Sequence, residues 1–200
     1  MEEILNDIER RIVVLEKSNE VKLQIADRII TMHGRLIINM IVACNNKNVI
    51  GSGNSIPWNC PEDLKYFKDI TKSSIVVMGR TTWESLPSNS RPLKDRINVV
   101  ISTTMPRQEG VIVLRDINEA VSFIRSRVED VFVIGGESIY SQFISRDLID
   151  CIFLTKINND ENGDKFFSPT LLDNFELEYS HDGGESCQFL VFRRSFHVEI

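Results

Sequence analysis

From Leu36 onward, short apolar runs alternate with longer stretches in which apolar residues recur every three or four positions. Leu36–Cys44 is nearly continuous in apolar residues, the mark of a strand buried on both faces. Ser74–Gly79, Arg96–Ser102, Val111–Leu114, Val131–Ile134 and Cys151–Ile157 repeat the pattern at strand length. Between them, Pro61–Ile70, Arg80–Leu86, Ile117–Arg127 and Glu137–Ile144 read as helices, with Pro61 suited to a first turn. Strands alternating with helices predict an α/β fold, a mostly parallel central sheet with helices on both faces. Phe175–Ser180 and Gln188–Ser195 alternate in polarity around Gly183-Gly184, which predicts an antiparallel C-terminal hairpin at the sheet edge.

The first 33 residues lack Pro and Gly and read as one helix ended by Gly34. Leu5, Ile8, Ile12, Leu15, Asn19, Lys22, Ala26, Ile29 and His33 follow heptad spacing, with Asn19 able to fix register. The chain thus divides into a helical extension over 1–34, a possible coiled coil, and a domain over 35–200. Two readings stay open for the extension. One is a homodimer or partner helix through residues 1–33, the other a helix packed on its own domain.

Composition narrows the function. A formal net charge of −6 argues against a general nucleic-acid binder, which needs a basic face. No apolar run approaches the roughly 20 residues of a membrane helix. The acidic start Met1-Glu2-Glu3 does not fit a secretory signal, so a cytoplasmic protein is expected. Cys44, Cys60, Cys151 and Cys187 have no metal-like spacing and read as small buried hydrophobes in a reducing compartment. No metal site is expected.

The unusual stretch is Ile50–Leu64. It passes from strand through Gly51-Ser52-Gly53-Asn54-Ser55, then a stiff Ile56-Pro57-Trp58, into a helix carrying Asp63 beside Leu64 and Phe67. A carboxylate among apolar neighbours is costly to ionise unless a polar partner meets it, and a ligand is one such partner. A solvated acid stabilised at a helix start is the plainer alternative. Ligands of open α/β sheets bind beyond the strands' carboxyl ends. Those ends here carry Gly51, Gly79-Arg80-Thr81-Thr82, Ser102-Thr103 and Gly135-Gly136, a set suited to a dinucleotide with several phosphates. Gly-x-Gly-x-x-Gly is absent. His33, His181 and His197 read as surface residues.

These residues resemble dihydrofolate reductase. Ile50-Gly51 with Ile56–Lys68 is similar to the family's first signature, and Val77–Leu86 to its second. Arg91-Pro92-Leu93 with Arg96–Ser102, Val133–Gly136 with Ile139-Tyr140, then Thr155 and Gly163-Asp164 with Phe166–Pro169 follow in family order. The match runs from about Leu36 to the C-terminus.

The resemblance implies NADPH-dependent reduction of 7,8-dihydrofolate to tetrahydrofolate, with hydride delivered to C6 and a proton to N5. It assigns Asp63 the pterin N3 and 2-amino group, with the N5 proton arriving through water that Trp58 helps hold. These two are the catalytic pair. Ile41, Ala43, Leu64, Phe67, Leu86, Leu93, Ile134, Tyr140 and Thr155 join Asp63 around the substrate, Thr155 behind the carboxylate. Arg96 is implied to grip the glutamate α-carboxylate. For NADPH the resemblance implies Ala43, Ile50, Gly51, Asn54, Ser55, Ile56, Gly79, Arg80, Thr81, Thr82, Ser85, Ser102, Thr103, Ile134, Gly135, Gly136, Ser138, Ile139 and Tyr140. Ser52–Ile56 corresponds to a closing loop. Antifolates are implied ligands alongside dihydrofolate.

Two positions depart from the family pattern. Thr81 stands where many bacterial members have histidine, and Ser138 where some have arginine, leaving Arg80 as the main cation for a 2′-phosphate. A pyrimidine reductase of riboflavin synthesis would lack the pairing of Pro57-Trp58 with Asp63, and Arg96. A non-catalytic scaffold using the same fold stays open.

Overall fold

The computed structural model describes residues 37–195. The expected extension over 1–34, and with it the coiled-coil reading, lies outside the described residues. Among the described residues there are ten strands: β1 Ile38–Asn45, β2 Val49–Gly51, β3 Ile75–Gly79, β4 Ile97–Ile101, β5 Ile112–Leu114, β6 Val131–Gly135, β7 Cys151–Ile157, β8 Lys165–Phe166, β9 Phe175–Asp182 and β10 Cys187–Arg194. The α-helices are α1 Pro61–Ile70, α2 Arg80–Ser85, α3 Ile117–Arg125 and α4 Glu137–Ile144.

Eight strands form one sheet in the order β5-β4-β3-β6-β1-β7-β10-β9. Every pair from β5 to β7 is parallel, and β10 and β9 add the antiparallel edge. The predicted architecture therefore stands.

Period-2 alternation sorts each central strand between two cores. Ile38, Met40, Val42 and Cys44 of β1 face one core with Ile75 and Val77 of β3; Ile117 and Ile124 of α3 and Ile139 and Phe143 of α4 cover it. Ile41 faces the other way with Phe132 and Phe153, and Tyr66, Phe67 and Ile70 of α1 pack there. Both faces are thus buried, as the apolar runs require.

Local chemistry sets the helix starts. Pro61 occupies the first turn of α1 after Cys60 in extended backbone, and Glu62 and Asp63 sit at the positive end of the helix dipole. Asp116 caps α3 by accepting from the Glu119 amide at 2.9 Å, and Glu119 reaches back to the Arg115 amide at 2.7 Å.

One element escaped the sequence. β2 and β8 form a separate two-stranded antiparallel sheet. At two residues, β8 is too short to show any alternation. Its fit depends on Gly163, where a Cβ would collide with the Gly51 carbonyl oxygen and a Val49 methyl.

Candidate active site

Asp63 enters the site because α1 begins where it does. Three residues into the helix, its side chain is half-buried beside β7. Burial pushes its carboxyl above the ordinary range, and the Thr155 hydroxyl opposes that shift by favouring the charged form. Thr155 is fully buried at mid-sheet, paired with Ala43 of β1 on one side and Phe189 of β10 on the other. Its Oγ1 makes no hydrogen bond of its own. The hydroxyl thus lies near enough to bias the carboxylate without closing a well-formed bond to it. Native chains seldom leave a buried hydroxyl so. Together these two residues suit a ligand edge that carries hydrogen-bond donors.

Trp58 and Tyr66 pack against the buried cluster of Cys60, Ile157, Cys187 and Phe189, with Ala43 alongside. Tyr66 stacks on Phe189 at 4.2 Å. Burial first, then the negative charge of Asp63 among its neighbours, pushes the Tyr66 phenol up, so it stays protonated beside the site.

Phe67 packs against two of the buried clusters. It packs with Leu86, Leu93 and Ile134 around Trp83, and also with Ile41 and Phe153. Leu64 is 57% exposed and Ile56 55% exposed, so apolar side chains stand uncovered beside a desolvated acid. Leu93 is held by Asn98, whose Oδ1 accepts from the Leu93 amide at 3.0 Å. The Asn98 Nδ2 donates to the carbonyls of Leu93 at 2.9 Å and Arg96 at 3.1 Å.

Arg96 is fixed before any ligand arrives. Its guanidinium donates to Thr71 Oγ1 and to the Lys94 carbonyl, each at 2.9 Å, and lies 5.8 Å from the Phe67 ring centre. Thr71 in turn donates to the Phe67 carbonyl at 2.7 Å, joining Arg96 to the end of α1. Burial removes part of its hydration and lowers its pKa, opposed by Asp95. The guanidinium stays charged and becomes a stronger partner for a carboxylate.

The ends of β3 and β6 form a glycine floor. A Cβ on Gly79 would touch Ile139 at 3.0 Å, one on Gly135 would meet the Tyr140 hydroxyl at 3.1 Å, and one on Gly136 would meet Thr82 Oγ1 at 3.3 Å. Gly135 has φ +117°, and its peptide to Gly136 is cis, as is Arg91-Pro92. Gly136 leaves the α4 start without a side-chain cap, so amides remain for an outside acceptor. Tyr140 donates to the Ile41 carbonyl at 2.8 Å and braces the floor from behind.

The remaining predicted positions cluster at the same end of the sheet with uneven freedom. Arg80 pairs with Glu84 at 3.4 Å on the exposed face of α2, and Thr81 is exposed beside it. Ser85 donates to the Thr82 carbonyl, and Ser138 accepts from Gln142. Ser102 Oγ accepts from the Thr104 and Met105 amides, while Thr103 is exposed.

Gly51 and Ile50 lie in β2, and Ser52–Ile56 is an exposed-tipped turn closed by paired Ser52 and Ser55 backbones. Asn54 and Ser55 are exposed. The Gly53 amide donates to Asp164 Oδ1 at 2.9 Å, and Lys165 holds the other oxygen at 2.9 Å.

Sequence reasoning missed Asn98, Thr71 and the clasp made by Asp164. Asn98 had a signal, a lone amide within an apolar strand. Thr71 joins the nearby Phe67 to the more distant Arg96, and Asp164, quoted in the family block without this role, reaches Gly53 across the chain.

Fold and site together define an α/β protein whose strand ends carry a half-buried acid among apolar side chains and a run of glycines. A family model described as dihydrofolate reductase matches residues 37–194. The chain is 33% identical over 165 residues to a dihydrofolate reductase of Haemophilus influenzae, spanning 80% of this chain and 99% of that one. It is 37% identical over 166 residues to the dihydrofolate reductase type 3 of Salmonella typhimurium, again 80% and 99%. It is also 37% identical over 143 residues to bifunctional dihydrofolate reductase-thymidylate synthase 1 of Arabidopsis thaliana, spanning only 28% of that longer protein. The chain belongs to the dihydrofolate reductase family.

Proposed function

We propose that this chain is an oxidoreductase that reduces 7,8-dihydrofolate to 5,6,7,8-tetrahydrofolate with NADPH. The observation that carries the reading is Asp63, a carboxyl raised by burial, next to the unpartnered Thr155 hydroxyl in a chain of this family. Bound NADPH supplies the hydride. The glycine floor would suit such a group, because Gly136 leaves the start of α4 without a side-chain cap and its amides would meet a phosphate.

Asp63 accepts from the pterin N3 and 2-amino group, which restores the hydrogen bonds its burial removed. It thereby sets the ring's orientation and tautomer, while the N5 proton arrives through water held near Trp58. Phe67, Leu64, Leu86, Leu93, Ile41 and Ile134 sandwich the ring system and exclude water. Arg96 receives the glutamate carboxylate with a guanidinium fixed in advance, which lowers the ordering cost of binding. Ser52–Ile56 closes over the cofactor side. Antifolates of pterin-like shape would occupy the same wall. The family match covers residues 37–194, so this reading concerns the domain over 35–200.

NADPH oxidation with dihydrofolate, followed by absorbance for the wild type and Asp63→Asn, tests the reading. No wild-type turnover sinks the function, whereas an unchanged variant sinks only the role of Asp63. Comparable kcat/KM with NADH overturns the cofactor preference.

A further inference from the structure

Beside α1 lies a group of reactive side chains that the reduction of folate does not use. Cys60 precedes α1 and Cys187 opens β10, and both thiols are free. They are 3% and 4% exposed and meet in one cluster with Ile157 and Phe189. Cys60 Sγ donates to Glu62 Oε2 at 3.4 Å and lies 3.9 Å from Ser186 Oγ, which donates to the same carboxylate oxygen at 3.2 Å. Glu62 is exposed, and its carboxyl is held below its ordinary value by its own backbone amide, Cys60 and Ser186. The Cys60 thiol therefore touches a charged carboxylate that is open to solvent.

Cys187 is screened thinly. A Cβ on Gly183 would sit 2.5 Å from the Cys187 sulfur, so the Gly183-Gly184 turn rests directly on it with no side chain between. Gly184 and Glu185 are exposed. The other two thiols differ. Cys44 is fully buried on the opposite core with Lys156 Nζ at 3.4 Å, and Cys151 lies under the α1 face.

We propose that Cys60 and Cys187 are a dithiol modification site for low-molecular-weight disulfides, closing to an intramolecular disulfide. In the first step the Cys60 thiol gives its proton to solvent and the resulting thiolate attacks the external disulfide. A Cys60–sulfur bond forms, the external S–S bond breaks, and one thiolate leaves and takes a proton from solvent. In the second step Cys187 attacks the Cys60 sulfur, the mixed disulfide breaks, and the second thiol leaves with the Cys187 proton. Two protein thiols are oxidised and one external disulfide is reduced. The order follows from the surroundings. Burial, with the Cys60 sulfur beside it, pushes the Cys187 thiol up to about 12, so it is the poorer initial nucleophile. The bond would tie the segment between Trp58 and Asp63 to β10.

The full chain is incubated with oxidised glutathione, quenched by alkylation and mapped by non-reducing mass spectrometry. A Cys60–Cys187 linked peptide that reductant removes is expected, with Cys44 and Cys151 alkylated as free thiols. Cys187→Ser should stop at a glutathione adduct on Cys60, and Cys60→Ser should leave Cys187 unmodified. The proposal is overturned by wild-type Cys60 and Cys187 staying free, by modification of Cys44 or Cys151 at an equal rate, or by Cys187 being the first to react.

Discussion

Asp63 of α1 and Thr155 of β7 act on the same ionisation in opposite senses. Burial lifts the Asp63 carboxyl and the Thr155 hydroxyl draws it back, yet that hydroxyl completes no hydrogen bond. Each residue is unfavourable where it stands, and in the proposed function a donor-bearing ring edge would relieve the carboxylate.

Asp63→Asn should cut kcat/KM by roughly 10²- to 10⁴-fold, the range for a group that positions or moves a proton. It should also raise stability near neutral pH. A carboxyl whose folded pKa exceeds its unfolded value, 3.8, favours folding below that value, and the benefit is lost as pH rises through the folded pKa. Replacement by an amide removes the loss. The wild type should therefore lose thermal stability from pH 4 upward relative to the variant, at about 2–4 °C per kcal/mol. Parallel melting curves across that range would show the mechanism wrong.

Thr155→Val separates the two halves of the pair. The methyl fills the hydroxyl's place, so a buried polar atom without a full hydrogen bond disappears. The carboxylate also loses the group that favours its charged form, so ligand-free stability near neutral pH should change little. The Asp63 ionisation should move to higher pH, since the group that lowered it is gone. Catalysis should show this as an alkaline shift of the inflection in kcat/KM against pH. A profile that superimposes on the wild type denies Thr155 its effect on Asp63.

Much of this was legible in the sequence because burial on two faces leaves a plain trace. The apolar run over Leu36–Cys44 announced a central strand, and β1 is flanked by β6 and β7. Asp63 was legible because a charge beside Leu64 and Phe67 demands explanation. The β2–β8 sheet was not, since its pairing rests on Gly163 fitting under Gly51 and Val49, a contact across a long loop. Thr71 was hidden, and Asn98 showed only as a lone amide in an apolar strand. Thr71 bonds back to Phe67, and Asn98 bonds to Leu93 and Arg96, over a few residues through side-chain-to-backbone bonds that hydrophobic period does not encode. The Thr71–Arg96 bond needs tertiary approach.

Gly163→Ala tests the support of the closing loop. Because the added methyl meets the Gly51 backbone, β2 and β8 must part, loosening the Gly53–Asp164 bond beside them. Asp164→Asn weakens the same clasp by removing the charge that Lys165 and the Gly53 amide hold. Both variants should lower turnover severalfold with little change in substrate KM, and proteolysis within 52–56 should quicken. Protection equal to the wild type would mean the clasp does not hold the loop.

Asn98→Ala should be costly without touching a ligand. It strands the Leu93 amide and carbonyl in a buried site, at about 1–3 kcal/mol for each unsatisfied group. A midpoint in urea that falls by the equivalent of roughly 2–4 kcal/mol is expected, with KM rising as Leu93 loosens. A loss under about 0.5 kcal/mol, ordinary for a surface change, would show that Leu93 holds itself.

Arg96→Lys distinguishes charge from shape. Lysine keeps the positive charge but loses the fork that reaches Thr71 and the Lys94 carbonyl together, and with it the stacking on Phe67. The proposed bidentate grip on the glutamate carboxylate should weaken by about 1.5–3 kcal/mol, which is roughly 10- to 100-fold in KM for dihydrofolate. A pterin substrate without the glutamate tail should be reduced equally well by both proteins, because Arg96 would have nothing to hold. If the tailless substrate suffers as much as the full one, the guanidinium serves the Thr71–Phe67 brace and so the shape of the apolar wall. The ratio of the two KM changes therefore decides whether Arg96 recognises the ligand or supports the residues that do.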